Sequence, residues 1–238
     1  DALRRSNGLL PAPNAPPSPQ PDARSAYAGV ETAVMTSSQN ITEAVARLGD
    51  ALKALLPPEE PAMLRLFDVI EQSRVTKARL LHYFPRDASG TWCGWHNDNS
   101  IITALAPALF YDAAGSEVPA PPGAGLTFLS RSGAEHRVAP PRGSVLFQIG
   151  EAAQILTAGA LMATPHAVQA GELASCSREA FALFVEPAWD EPLDVPRGCA
   201  RTEALADYGG TIPPLAKRLP RLPVAFAKFL ADSVKEYY

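Results

Sequence analysis

Between Ala78 and Pro187 the chain is divided into short runs of apolar and β-favouring residues, and this punctuation limits the fold more than any other feature. The runs read ARLLHYFP, AGLTFLSRSG, EHRVAP, GSVLFQIG, AQILTAG, LMATPHAV and REAFALFVEP, with Gly, Pro or Ser between them. Segments of this length cross a sheet once, and the turn residues let each strand reverse onto another. The spacing predicts a mainly β domain, a sandwich or barrel. RSGAEHR is expected to form a hairpin around Gly133.

Helical periodicity is confined to the flanks. In SSQNITEAVARLGDALKALL, the residues Ile41, Val45, Leu48, Leu52 and Leu55 recur at helical spacing, with Ser or Asn available as a cap. PAMLRLFDVIEQS continues the helical signal behind a proline. The C-terminal PVAFAKFLADSVKEYY is amphipathic, with Phe226, Phe229, Leu230 and Val234 expected to be buried where the helix packs on the outside of the β-structure. Six of the 24 prolines fall between Pro11 and Pro21, which predicts an extended or disordered stretch. The expected organisation is a Pro-rich segment over 1–37, a helical segment packed on the core over 38–78, a β-core over 79–190, and a C-terminal extension over 191–238 ending in a helix.

With 238 residues and 47% hydrophobic content the chain can build one ordinary core. A net charge of −4 gives no reason to expect nucleic acid or an anionic membrane as partner. The basic cluster Lys217, Arg218 and Arg221 reads as a solvated face. No run of eighteen apolar residues occurs. Three widely spaced cysteines without a CxxC pair favour neither a disulfide framework nor a zinc knuckle. The expectation is a monomer in a reducing compartment, the cytoplasm. The chain starts at Asp1 without a methionine, which fits a fragment or a processed form.

The chemistry-bearing residues centre on CGWHND. If this is a strand end, His96 and Asp98 point to one face and offer an imidazole nitrogen and a carboxylate oxygen as two edges of a metal site. The pattern alone is weak, and a third ligand must come from elsewhere. Of Cys93, His82, His136 and His166, the best placed is His166, in a strand-like segment that a jelly roll would bring across the open end. His136 reads as a surface hairpin residue. Two His and one carboxylate suit iron(II) in an oxygenase, or zinc in a hydrolase, and the triad alone does not choose. Arg178 follows in REAFALFVEP. An arginine pointing into a barrel lined by Phe and Leu is costly unless it meets an anion such as a small diacid, and the alternative is that Arg178 pairs with Glu179, Glu172 or solvent.

The blocks LLHYFP, WCGWHND, GSVLFQIGEAAQILTAG, ATPHAV and FALFVEPAWDEPLDVP, in this order between Arg79 and Pro196, resemble the isopenicillin N synthase-like branch of the 2-oxoglutarate/iron(II) dioxygenases, in particular a plant and algal subgroup. The resemblance implies a double-stranded β-helix (jelly-roll) core with flanking N- and C-terminal helices. It also implies iron(II) on His96, Asp98 and His166, and 2-oxoglutarate clamped at its far carboxylate by Arg178, beside Tyr83. Dioxygen is the oxidant, ascorbate a candidate reductant, and the substrate a small organic molecule that is hydroxylated, desaturated or cyclised.

The chain departs from the pattern at three points. The wider family often reads Asn-Tyr-Tyr-Pro where this chain has His82-Tyr83-Phe84-Pro85, which changes the first and third positions. A hydroxyl residue usual two positions after the arginine is Ala180. On an i, i+2 face these changes converge on one pocket, where His82 could supply a replacement contact to the cosubstrate, and Phe84 and Trp95 could line the substrate space. The departures support a second reading, a jelly-roll binding or scaffold protein that retains its metal ligands without turnover. A zinc hydrolase on the same triad would need a base, for which Glu151 is the available residue.

Overall fold

A computed structural model describes residues 61–86, 90–130, 132–171, 175–207, 210 and 212–237. The Pro-rich segment and the first expected helix lie outside these residues. The described residues form twelve strands and five helices in chain order. They are α1 (Pro61–Gln72), β1 (Val75–Tyr83), β2 (Thr91–His96), β3 (Ile102–Leu105), β4 (Leu109–Tyr111), β5 (Glu117–Val118), β6 (Ala124–Leu129), β7 (Glu135–Val138), β8 (Leu146–Ile149), α2 (Glu151–Leu156), β9 (His166–Ala170), β10 (Ser177–Glu186), β11 (Pro192–Leu193), α3 (Arg201–Ala204), α4 (Leu215–Arg218), β12 (Val224–Ala225) and α5 (Phe226–Tyr237).

Two antiparallel sheets make the body. The first runs β5-β4-β10-β3-β8, with β1 paired along the free edge of the long strand β10. The second runs β2-β9-β6-β7. Strands β1 to β3 and again β7 to β10 alternate between the two sheets, and only β4–β5 and β6–β7 are sequential neighbours within them, the pattern of a jelly roll rather than a meander. Residues from both sheets line one cavity of about 480 Å³ between them. The hairpin expected at Gly133 forms between β6 and β7. Ser130 N–H donates to Ala134 O at 2.8 Å, and Gly133 adopts φ +77°, a conformation that glycine reaches without steric cost.

One expected strand is a helix. The AQIL of AQILTAG lies in α2, whose six residues are all buried, and TAG forms the turn after it. Its composition, EAAQIL, is rich in helix-forming residues, and a run buried on every side carries no periodicity by which to tell strand from helix. The helix starts at a forced position. A Cβ on Gly150 would lie 1.9 Å from the carbonyl oxygen of Ser100, so only glycine lets the two backbones approach. The resulting contact satisfies the first helical N–H groups, as Glu151 N–H donates to Asp98 O (2.8 Å) and Ala152 N–H to Ser100 O (3.2 Å).

The helices share a core of their own. Leu66 and Val69 of α1, Ile155 and Leu156 of α2, and Phe226 and Phe229 of α5 pack with Leu193, Leu215 and Leu219. Phe226 and Phe229 are buried as their spacing predicts, Leu230 is half-buried, and Val234 is 47% exposed, at the cavity mouth. Arg218 reverses its expectation. It is 2% exposed, because it ion-pairs with Glu151 inside the core instead of joining Lys217 and Arg221 at the surface. Among the described residues no helix is long and apolar enough to cross a membrane.

Candidate active site

His96 is the last residue of β2 and His166 the first of β9, and the antiparallel register sets them directly opposite each other. Their ring centroids are 4.2 Å apart at 56°. Asp98, two residues beyond the strand end, turns its carboxylate between them. Its Oδ1 lies 3.9 Å from His96 Nε2 and 3.8 Å from His166 Nε2. One ligand atom from each of the three residues falls within 4.8 Å of the others, the spacing of donors around a shared cation.

The outer nitrogens orient the rings. His96 Nδ1 is 2.8 Å from Gly94 O, and His166 Nδ1 is 3.0 Å from Thr164 O. A carbonyl only accepts, so each Nδ1 carries a proton and each Nε2 faces Asp98. Gln148 Nε2 donates to Asp98 Oδ2 at 3.5 Å. Asp98 and His166 are buried, while His96 keeps one edge open to the cavity. Burial pushes His166 below the usual imidazole range. For His96 burial acts downward, but the Cys93 thiol, the Asp98 carboxylate and the Gly94 carbonyl outweigh it and raise it to about 9. The carboxylate thus favours positive charge at this junction, whether a proton or a metal.

Arg178 stands on the same cavity, directly opposite Tyr83 in the β1–β10 register. Its guanidinium is centred 5.2 Å from the Tyr83 ring, and the residue is 7% exposed. Its Nε and Nη1 have no hydrogen-bond partner among the described residues. Burial draws Arg178 down and Tyr83 up. The alternative partner Glu179 points to the other face of β10 and accepts from His82 Nδ1 at 2.5 Å. Glu172 lies outside the described residues. A buried guanidinium with unpaired donors costs several kcal/mol, on the order of 1–3 per unsatisfied group, unless an anion enters. The donor set of the triad and this orphaned cation therefore fit a divalent metal and a carboxylate ligand in one cavity.

Strand parity corrects two expectations. Lys77, Arg79, Leu81 and Tyr83 of β1 line the cavity, so Leu80, His82 and Phe84 face outward. His82 packs edge-on against Phe84 at 4.4 Å, and Phe84 is 73% exposed. Neither His82 as a cosubstrate contact nor Phe84 as a pocket wall is compatible with this register. The two departures there do not touch the pocket, whose corresponding positions are Leu81 and Tyr83. Ala180 does line the cavity, as does Trp95.

His136 is exposed and stacked on Phe128, apart from the triad. Glu151 is sealed. Its carboxylate takes two hydrogen bonds from Arg218, each 2.5 Å, and one from Asn97 Nδ2 at 3.0 Å, with no exposed side-chain surface. It supplies no base for a hydrolase. Sequence reasoning missed Gln148, Arg79, Leu230 and Tyr237 as cavity residues. Only the parity of β1 could have flagged Arg79, while the others depend on how the elements pack.

No family model matches the chain, and no curated protein does. Solved structures do. A protein from Shewanella oneidensis assigned as an oxygenase superposes with a TM-score of 0.56 at 21% identity, over 76% of this chain and 63% of that one. A Caulobacter crescentus protein assigned to the 2OG-Fe(II) oxygenase family gives 0.51 at 24%, over 81% and 58%. JOX2, crystallised with 2OG, Fe and JA, gives 0.52 at 19%, over 80% and 49%. The chain has the jelly-roll fold of these proteins and spans less than two thirds of the length of each.

Proposed function

We propose that the chain is a non-haem iron(II)- and 2-oxoglutarate-dependent oxygenase that hydroxylates, desaturates or cyclises a small organic molecule. The observation that carries this reading is the meeting, in one cavity, of the His96–Asp98–His166 donor set with the unpartnered buried guanidinium of Arg178. His96 and His166 would hold the metal through Nε2 and Asp98 through its carboxylate. Arg178 would bind the distal carboxylate of 2-oxoglutarate, with Tyr83 beside it. The metal and cosubstrate supply the oxidising chemistry when bound, with ascorbate a candidate reductant.

The chain's own residues do the rest. Gly94 and Thr164 carbonyls hold both imidazoles by Nδ1, so both Nε2 atoms point inward. Leu81, Leu105, Leu126 and Val168 keep the walls apolar, which strengthens the pull of Arg178 on an anion. Residues 79–190 are proposed as the catalytic core, acting as a monomer on a small molecule, without nucleic acid or membrane as partner. The scaffold reading loses most of its support, because two of its three departures face away from the cavity.

The test is an anaerobic titration of the purified protein with iron(II) and then 2-oxoglutarate. A weak visible charge-transfer band that disappears in Arg178→Met supports the reading. Iron that fails to bind, or binding insensitive to His96→Ala and His166→Ala, overturns it.

A further inference from the structure

The cavity holds a second cation with no role in the proposed binding of metal and cosubstrate. Arg79 lies on the same face of β1 as Tyr83 and lines the cavity. Its guanidinium rests over the ring of Phe184, 5.1 Å from the centroid. That contact holds a planar donor fork against the wall. Among the described residues no carboxylate pairs with it. Its neighbour on the same face, Lys77, is already neutralised by Glu186 at 2.8 Å. Arg79 is therefore the uncompensated cation of this part of the cavity.

Position separates it from the cosubstrate clamp. Arg79 pairs in register with Ala182 and Tyr83 with Arg178. Four residues of strand place the two backbone positions about 13 Å apart. A five-carbon diacid clamped at Arg178 does not span that interval. The cavity is lined by the apolar Leu81, Leu105 and Phe184 from the sheet and Leu230 and Val234 from α5, together with Thr103 and the Lys77–Glu186 pair. With Lys77 neutralised by Glu186, the solvent-exposed Arg79 fork is, among the described residues, the one unpaired charge beside this largely apolar wall. Such a wall favours a molecule with an apolar body and a single anionic group.

We propose that Arg79 is a substrate-recognition residue and that the substrate is a small carboxylic acid with an apolar body. Its carboxylate meets the Arg79 guanidinium, and its hydrocarbon part lies against Leu81, Leu105, Leu230 and Val234. The assignment as substrate rests on the oxygenase reading, while the acid-binding site itself needs neither metal nor cosubstrate.

The experiment is calorimetric titration of the full chain with octanoate and 4-phenylbutanoate, each against its primary amide. The acids are expected to bind about tenfold or more tightly than the amides, the factor of one charge-assisted contact. Arg79→Met should abolish that preference, Arg79→Lys should restore part of it, and Arg178→Met should leave it in place. Equal binding of acid and amide, no binding of any of the four, or a preference that survives Arg79→Met and vanishes in Arg178→Met overturns the proposal. Acid preference with a failed iron titration would remove the oxygenase reading and keep the site. The converse result would keep the oxygenase and remove the site.

Discussion

Replacing Arg218 by methionine tests what its buried ion pair with Glu151 contributes to the helical core. Arg218 and Glu151 are both fully buried, and their pair is bidentate, with both contacts at 2.5 Å. Arg218 also donates to Ser233 Oγ (3.1 Å) and to Pro213 O (3.2 Å), so it ties α2 to α5 and to the turn before α4. The single substitution leaves the Glu151 carboxylate in the core with only the Asn97 amide as donor. Breaking one side of a buried pair costs about 3–5 kcal/mol, against a total of roughly 5–15 for a domain. At about 2–4 °C per kcal/mol for a chain of this size, the midpoint should fall by roughly 6–20 °C. Glu151→Leu combined with Arg218→Met removes both charges at similar volume and should recover most of that loss, or exceed the wild type. Calorimetric melting and urea denaturation of the two variants measure both values. A single variant that loses less than about 1 kcal/mol, or a double variant no more stable than the single, refutes the view that an uncompensated buried charge sets the cost.

Other outcomes follow from the same geometry. Arg178→Met should stabilise the ligand-free protein by about 1–3 kcal/mol, because it removes a buried guanidinium with unpaired donors, while abolishing 2-oxoglutarate binding; melting with and without 2-oxoglutarate reads both signs. His82→Ala should leave 2-oxoglutarate affinity within about twofold, since its ring faces Glu179, whereas Tyr83→Phe should weaken it severalfold, as isothermal titration would show. Gly150→Ala should lower both the midpoint and the affinity for manganese(II), because the new methyl meets the Ser100 carbonyl in the segment that follows Asp98.

The fold class was legible in residue pattern because strand length and turn chemistry are local properties. Short apolar runs between Gly, Pro and Ser admit few architectures other than a β-sandwich or barrel, and the hairpin at Gly133 follows from its own residues. The helix α1 was readable from its periodicity, and so was α5. The run AQILTAG was not, because burial on all sides erases the amphipathic signal on which periodicity depends.

The donor set was readable for a similar reason. His96 and Asp98 are two apart at the end of one strand, and His166 opens another, so few residues competed for the third place. Parity was not readable, because a one-residue ambiguity in where a strand faces exchanges every inward residue for an outward one. That is why His82 and Phe84 were expected in the pocket, and Leu81 and Arg79 are found there. Arg218 shows the remaining gap. Beside Lys217 and near Arg221 it looks like surface charge, and nothing local marks it otherwise. Only the tertiary structure brings Glu151 to it from 67 residues away. The sequence by itself determined which side chains can ligate a metal, since that is a matter of atom type and local spacing. The packing of sheet on sheet and helix on helix decided which of them meet, which face the cavity and which charge is left without a partner, because those depend on contacts between residues far apart in the chain.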